Sequence, residues 1–214
     1  MAALIELGRQ FAIEPDPLAL LQRVCDASRD MTLAESAIVG ILSETGDEVR
    51  ACLSSGLAGV DLSAFAPDLQ RSTILGPMLE TRRSVRRINP NGDPAALELP
   101  DGHPSVFSYL GVPIASPTRV YGWLGLANKV GATAFSEADE QVAGLLAVQA
   151  AVAYENAVRF QTLRETEERT EFALRAARIG VWERDLVSGR VTYSDGMSLV
   201  FGRPLDQLPS RWPD

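Results

Sequence analysis

Apolar residues first recur at helical spacing between Pro15 and Leu33, where Leu18, Leu21, Val24, Cys25 and Ala27 fall largely on one stripe. Asp16 before Pro17 supplies a cap and a first turn, so an amphipathic helix is predicted there. From Glu35 the period shortens. Ser36 to Ser43 and Glu48 to Ser54 read as two strands joined through Thr45-Gly46-Asp47, a β-hairpin. Leu62 to Arg83 returns to helical spacing at Phe65, Leu69, Ile74, Met78 and Leu79, but Pro67 and Pro77 interrupt it and predict two short helices. Ser84 to Ile88 reads as a short strand. The segment from Asn89-Pro-Asn-Gly-Asp-Pro94 through Leu99-Pro-Asp-Gly-His-Pro104 is dense in turn formers and too long for a simple connection, and loops of that length in compact domains are often functional.

Phe107 to Ser116 and Arg119 to Lys129, separated by Pro117-Thr118, form the most strand-like pair in the chain and are expected at the centre of a sheet. Ser136 opens a helix with Glu137, Asp139 and Glu140 in its first turn, where carboxylates favour the positive end of the helix dipole. No Gly or Pro occurs from Ala147 to Ile179. Along this helix Val142, Leu146, Gln149, Ala153, Asn156, Phe160, Leu163, Glu167, Thr170, Leu174 and Ala177 alternate in steps of four and three, the spacing of a coiled-coil seam. Its polar members weaken a static staple but suit a helix pair that changes register. The competing reading is a single helix that packs on its own domain and then runs through solvent. Beyond it, Ile179 to Ser194 reads as a second hairpin, followed by a short helix to Gly202. Some 35 residues are too few to bury a stable core alone. Residues after about Ser188 are therefore expected to pack poorly, and the chain is expected to be part of a longer protein.

With 46% hydrophobic and 22% charged residues, the composition is that of a globular protein. A net charge of −8 removes the non-specific electrostatic attraction on which nucleic-acid binding rests, so no nucleic-acid partner is expected. Arg82, Arg83, Arg86 and Arg87 are a local exception that could hold an anion, although a solvated helix end and strand start is the simpler and preferred reading. Cys25 and Cys52 have no paired-cysteine spacing, the start MAALIELGRQF lacks a signal-peptide pattern, and no apolar run reaches a membrane span. A cytoplasmic protein without disulfides or direct membrane insertion is expected. No Gly-rich phosphate loop, G-x-S-x-G elbow or H-E-x-x-H motif appears, so no catalytic residues are assigned and no metal ligand set is recognised.

One segment is more specific. Asn128-Lys129, Phe135 and Asp139-Glu140 match the N-K-x(n)-F-x3-D-E pattern of GAF domains, and Tyr109-Leu-Gly-Val-Pro-Ile114 and Val120-Tyr-Gly-Trp-Leu-Gly-Leu126 resemble the two central strands of GAF domains in bacterial sensor kinases. In physical terms the pattern is structural: Lys129 can reach the acidic first turn of the exit helix while Phe135 packs beneath. The resemblance covers roughly residues 1–160 and implies an α+β fold, an α/β/α sandwich with a central antiparallel sheet and a long C-terminal helix. Residues 161–177 then read as a coiled-coil-like linker. Residues 178–214, with Ile179-Gly-Val-Trp-Glu183, Ser188-Gly189 and Tyr193-Ser-Asp195, resemble the start of a PAS domain.

What the resemblance implies is a sensory or regulatory input region, homodimeric through Leu146, Ala153, Phe160 and Leu163 of the long helix and feeding a histidine kinase, with a cyclic-di-GMP enzyme such as a diguanylate cyclase as the alternative output. A pocket for a small ligand is expected under the long loop, with His103, Phe107, Tyr109, Trp123 and Arg86 as its residues. His103 stands near where some haem-binding GAF sensors place an iron ligand, so haem is one candidate. Phe107, Tyr109 and Trp123 would then be wall or gate residues, and otherwise core aromatics. Cyclic nucleotide is a second candidate. Bilin attachment is disfavoured because Gly102 stands where a cysteine would be wanted. A reductase using loop cysteines is disfavoured because Cys25 and Cys52 fall on a core-facing helix and a strand. A ligand-free dimerisation module is the competing class.

Overall fold

The computed structural model describes residues 16–58, 60, 62, 67, 69–99 and 102–210. The chain divides into two compact units between Val158 and Arg159. In the first, helix α1 (Pro17–Thr32) starts at Asp16, whose Oδ1 accepts the Leu18 N–H at 2.9 Å, with Pro17 as its first residue. It ends at Leu33, whose left-handed backbone (φ 48°) lets its N–H reach the Arg29 and Asp30 carbonyls. Leu20, Leu21, Val24, Cys25 and Ser28 form its buried face. Leu18 does not belong to that stripe: two residues from Leu20 it is turned about 200° away and is exposed.

Strands β1 (Ala34–Leu42) and β2 (Val49–Ser55) form the predicted hairpin, with Gly46 at φ 80° in its turn. Of the two helices read between Leu62 and Arg83, the second is α2 (Leu75–Thr81), and most of the first falls outside the described residues. Leu69 lies in a turn, and Phe65 falls outside the described residues. Strand β3 (Val85–Ile88), a 3-10 turn at Pro94–Leu97, β4 (Ser108–Ala115) and β5 (Val120–Lys129) follow. The five strands form one antiparallel sheet in the order β2-β1-β5-β4-β3, so the strongest strand pair lies at the centre with β1 beside it.

Alternation of side chains gives the sheet two apolar faces. Val39, Ile41, Leu110, Val112, Ile114, Leu124 and Leu126 point to one face, against α1 and the exit helix α3 (Glu137–Ala176). Trp123 and Leu42 point to the other, under Leu75, Met78 and Leu79 of α2, with Tyr109, Ala127, Leu97 and Val106 beside them. Helices on both faces of an antiparallel sheet make this an α+β fold of the α/β/α type. Trp123 fits because its β1 partner is Gly40, where a Cβ would overlap the indole ring.

Helix α3 begins in a capping box. Ser136 N–H donates to Asp139 Oδ2 (2.8 Å), and the Asp139 N–H donates to Ser136 Oγ (3.2 Å). Its face toward the sheet is mostly small: Ala143, Ala147, Ala150, Ala151 and Ala157, with Leu146 and Tyr154. This corrects part of the expected dimer seam. Leu146 is 0% and Ala153 8% exposed, both packed in the core of their own unit. On the opposite side of the helix Leu145, Val148 and Val152 are exposed.

In the second unit the helix carries the i,i+4 ion pairs Arg164–Glu168 and Arg175–Glu171, and Phe160 and Leu163 are exposed. It continues into a hairpin of β6 (Trp182–Arg184) and β7 (Val191–Tyr193) and a short helix α4 (Gly196–Phe201). Val191 and Met197 are buried, while Trp182, Leu186, Val187, Leu199, Val200 and Phe201 are exposed.

Candidate functional site

The end of β5 organises the region around the long loop. Asn128 has a left-handed backbone (φ 58°), a conformation that asparagine tolerates better than most residues. Its Oδ1 accepts the Phe107 N–H at 2.8 Å, and its Nδ2 donates to Ser105 O (2.9 Å) and to Glu35 Oε2 (2.8 Å). Asn89 closes the other end, its Nδ2 donating to Asp93 O (2.7 Å) and Val106 O (2.8 Å). The loop from Asn89 to Phe107 is therefore pinned at its base by two asparagines.

Lys129, the next residue, faces the helices. Its Nζ donates to Asp139 Oδ1 and to Thr32 O, both at 2.8 Å, tying the start of α3 to the end of α1. Burial alone would raise the Asp139 carboxyl, but the bonds from Lys129 and from the Ser136 N–H and hydroxyl outweigh it and hold it below the usual carboxylate range. Phe135 is buried beneath. Glu140 bonds elsewhere, to Ser84 Oγ and to Arg86 Nε at 2.7 Å.

Under the loop lies a cavity of about 10 Å³, lined among others by Ile38, Leu75, Leu97, Leu99, Tyr109 and Trp123. His103 also lines it and is 8% exposed. Its Nδ1 is 2.8 Å from Pro104 O, which can only accept, so Nδ1 donates, and in the neutral ring Nε2 is then an acceptor. Nε2 is buried and has no hydrogen-bond partner among the described residues. Glu98, also in the lining, was not singled out from the sequence. Its carboxylate accepts from Ser72 Oγ, from the Thr73 N–H (2.7 Å) and from Thr73 Oγ1 (2.8 Å). Ser72 Oγ in turn accepts the Leu75 N–H at 2.7 Å, at the start of α2. Burial raises the Glu98 carboxyl, and these donors outweigh it, so the group is held below its ordinary value. Glu98 thus fastens the middle of the loop to α2.

Of the five residues expected at the pocket, His103, Tyr109 and Trp123 come together there. Phe107 and Arg86 do not. The Phe107 ring is half-exposed and covers Gly92, whose φ of 68° and missing side chain leave it room. Arg86 lies on the edge strand β3, where Glu140 and Phe135 O (3.3 Å) engage it. Arg82 of the same arginine cluster donates to Ser116 O (3.2 Å) and Pro117 O (2.7 Å), so two of the four guanidinium groups hold the fold. A larger open cleft of about 510 Å³, bordered by Asp47, Leu79, Arg82 and Arg119, lies at the other end of the sheet. We favour the loop cavity as the site, because His103, whose buried Nε2 lacks a partner among the described residues, lines it.

The cavity bears on each ligand class. Haem finds no room in the cavity as it stands, since pockets for ligands of that size run to about 300–1,000 Å³, and among the described residues the lining holds no cation for its propionates. The same lack of a cation disfavours the phosphate of a cyclic nucleotide. The cysteines are also badly placed for pocket chemistry, since neither lines the cavity. Cys25 packs from α1 into the core against the sheet, whereas Cys52 lies between Ala51 and Leu53, which pack toward the helices, and so points to the opposite face of the sheet. Burial pushes both thiols up to about 12, far from the thiolate form.

Residues 14–155 match the family model described as GAF domain. The fold is similar to the GAF domain of a phosphoenolpyruvate-protein phosphotransferase from Acinetobacter (21% identity, 73% of this chain and 92% of that one, TM-score 0.61). It is also similar to the second GAF domain of DevS from Mycobacterium smegmatis (21% identity, 69% and 99%, TM-score 0.56). A third likeness is to free methionine-R-sulfoxide reductase from Neisseria meningitidis, solved with its substrate (17% identity, 73% and 88%, TM-score 0.58). At these identities the likenesses speak to the fold alone. Since the family model spans well over half of the chain, and the Asn128–Glu140 segment performs the anchoring that its residues predicted, this chain belongs to the GAF domain family.

Proposed function

We propose that this chain is the sensory or regulatory input region of a signalling protein, carries no catalysis of its own, and relays a state of the loop cavity through α3. One observation carries this reading: Asn128 and Lys129 are adjacent, and while one holds the loop over the cavity the other holds the start of α3. A shift of the loop that moves the end of β5 is thereby felt at the exit helix. A ligand can drive such a shift only through different affinities for two arrangements.

In this reading α3 pairs with α3 of a second protomer, and the exposed Phe160 and Leu163 belong to that contact. The strand, strand, helix order of β6, β7 and α4 agrees with the start of a PAS domain. A histidine kinase is the output we favour, with a cyclic-di-GMP enzyme as the alternative. Among the described residues no helix is long and apolar enough to cross a membrane, which accords with a cytoplasmic location. The small size of the cavity favours a second reading, a ligand-free module that supplies dimer contacts and spacing.

Sedimentation equilibrium of the wild type and of a Phe160→Glu, Leu163→Glu double variant tests the pairing. A dimeric wild type and a monomeric variant are expected. A monomeric wild type at tens of micromolar would sink both readings.

A further inference from the structure

The cavity beneath the loop holds more chemical information than its size suggests. Its polar side chains are His103, Tyr109, Ser36 and Glu98, and the remaining lining is apolar. Glu98 bears the lining's charge and is already bonded by the hydroxyls of Ser72 and Thr73 and by the Thr73 N–H, so it has little capacity left for a cation. In its neutral form the buried imidazole is fixed by Pro104 O in the tautomer that leaves Nε2 as an acceptor, and that acceptor has no partner among the described residues. A buried polar atom without a partner costs free energy comparable to a lost hydrogen bond. A site that keeps one favours a ligand able to supply the missing donor.

We infer that the loop cavity takes a small, uncharged, mainly apolar ligand, of the size and kind of a phenol, which donates one O–H or N–H to Nε2 of His103. This inference rests on the reading of the cavity as a ligand site. Apolar walls from Ile38, Leu97, Leu99 and Trp123 receive the body of the ligand, and His103 reads its donor. Entry requires the segment from Leu97 to Leu99 to move outward, because about 10 Å³ admits no more than a water-sized sphere. Glu98, in the middle of that segment, is what holds it down. Anions are refused for want of a cation, and a benzene-like molecule without a donor leaves Nε2 as it was.

His103 is the sole histidine of the chain, so labelling with 15N-histidine gives one imidazole to observe directly. The free protein is expected to show the Nδ1–H tautomer. Phenol at millimolar concentration should move the Nε2 resonance and raise the Tm, benzene should leave Nε2 unmoved, and benzoate should do neither. In His103→Phe, which keeps a ring in place, phenol binding should weaken by about tenfold, the worth of one buried hydrogen bond, while benzene binding stays the same. A phenol-induced rise in Tm with Nε2 unmoved would overturn the inference and leave the ligand-site reading standing. No response to phenol or to benzene would overturn both.

Discussion

Lys129 Nζ lies 2.8 Å from Asp139 Oδ1 with both side chains largely buried, and it also donates to the Thr32 carbonyl at the end of α1. One ammonium group thus joins the last central strand, the exit helix and the first helix. Replacing it leaves a carboxylate and a carbonyl without their donor. Lys129→Met should lower unfolding stability by about 2–3 kcal/mol, read from urea denaturation followed by far-UV circular dichroism. A change below about 0.5 kcal/mol would show that the bridge is not a structural tie.

The pH dependence follows from the carboxyl directions. Asp139 and Glu98 are both held below their ordinary values in the folded chain, so each stabilises the fold above the ordinary carboxyl range of about 4. That contribution is lost as pH falls through the lower, folded value. Stability should be flat from neutral pH to about 5 and decline below about 4. Glu98→Gln should flatten part of that decline. It should also loosen the loop, with faster amide exchange at Thr73 and Glu98 and little change in α1. An acid profile identical to wild type would remove Glu98 as the fastening of the loop.

Much of the fold was legible in the sequence because its signals are local. The period of two in β4 and β5, the Asp16-Pro17 start of α1, and the Asn128–Glu140 spacing each describe contacts within a few residues or across one turn. The site was legible only in part. His103, Tyr109 and Trp123 fall on the segments that define the cavity, but Glu98 lies between two leucines in a turn-rich loop, and its partners Ser72 and Thr73 are some 25 residues away. Arg86 invited an anion-binding reading that its neighbour across the fold, Glu140, cancels. Leu18 stands at a plausible helical position, yet the sheet lies on the other side of α1. These are facts about which element meets which, and spacing along one element does not contain them.

The same limit shaped the reading of α3 and yields its sharpest test. A seam with steps of four and three averages 3.5 residues, so on a helix of 3.6 residues per turn it drifts by about 20° per heptad. That drift is small over the two heptads from Leu146 to Phe160, and what separates them is their neighbours: Leu146 and Ala153 pack in the core of their own unit. On an ideal helix, Leu145 and Val152 lie within about 60° of the direction midway between Phe160 and Leu163, and Val148 lies about 90° from it. These residues are exposed. Two faces of one helix thus predict two outcomes. Leu146→Ala should destabilise the GAF unit by about 2–5 kcal/mol by leaving a cavity in its core, with no effect on association beyond that of unfolding. Val152→Glu should leave the stability of the isolated unit within about 0.5 kcal/mol yet, if the proposed dimer forms, shift it toward monomer in sedimentation at matched concentration. If Val152→Glu remains as associated as the wild type while Phe160→Glu dissociates, pairing is confined to the helix beyond Val158. If neither variant alters association, α3 is not the contact between protomers.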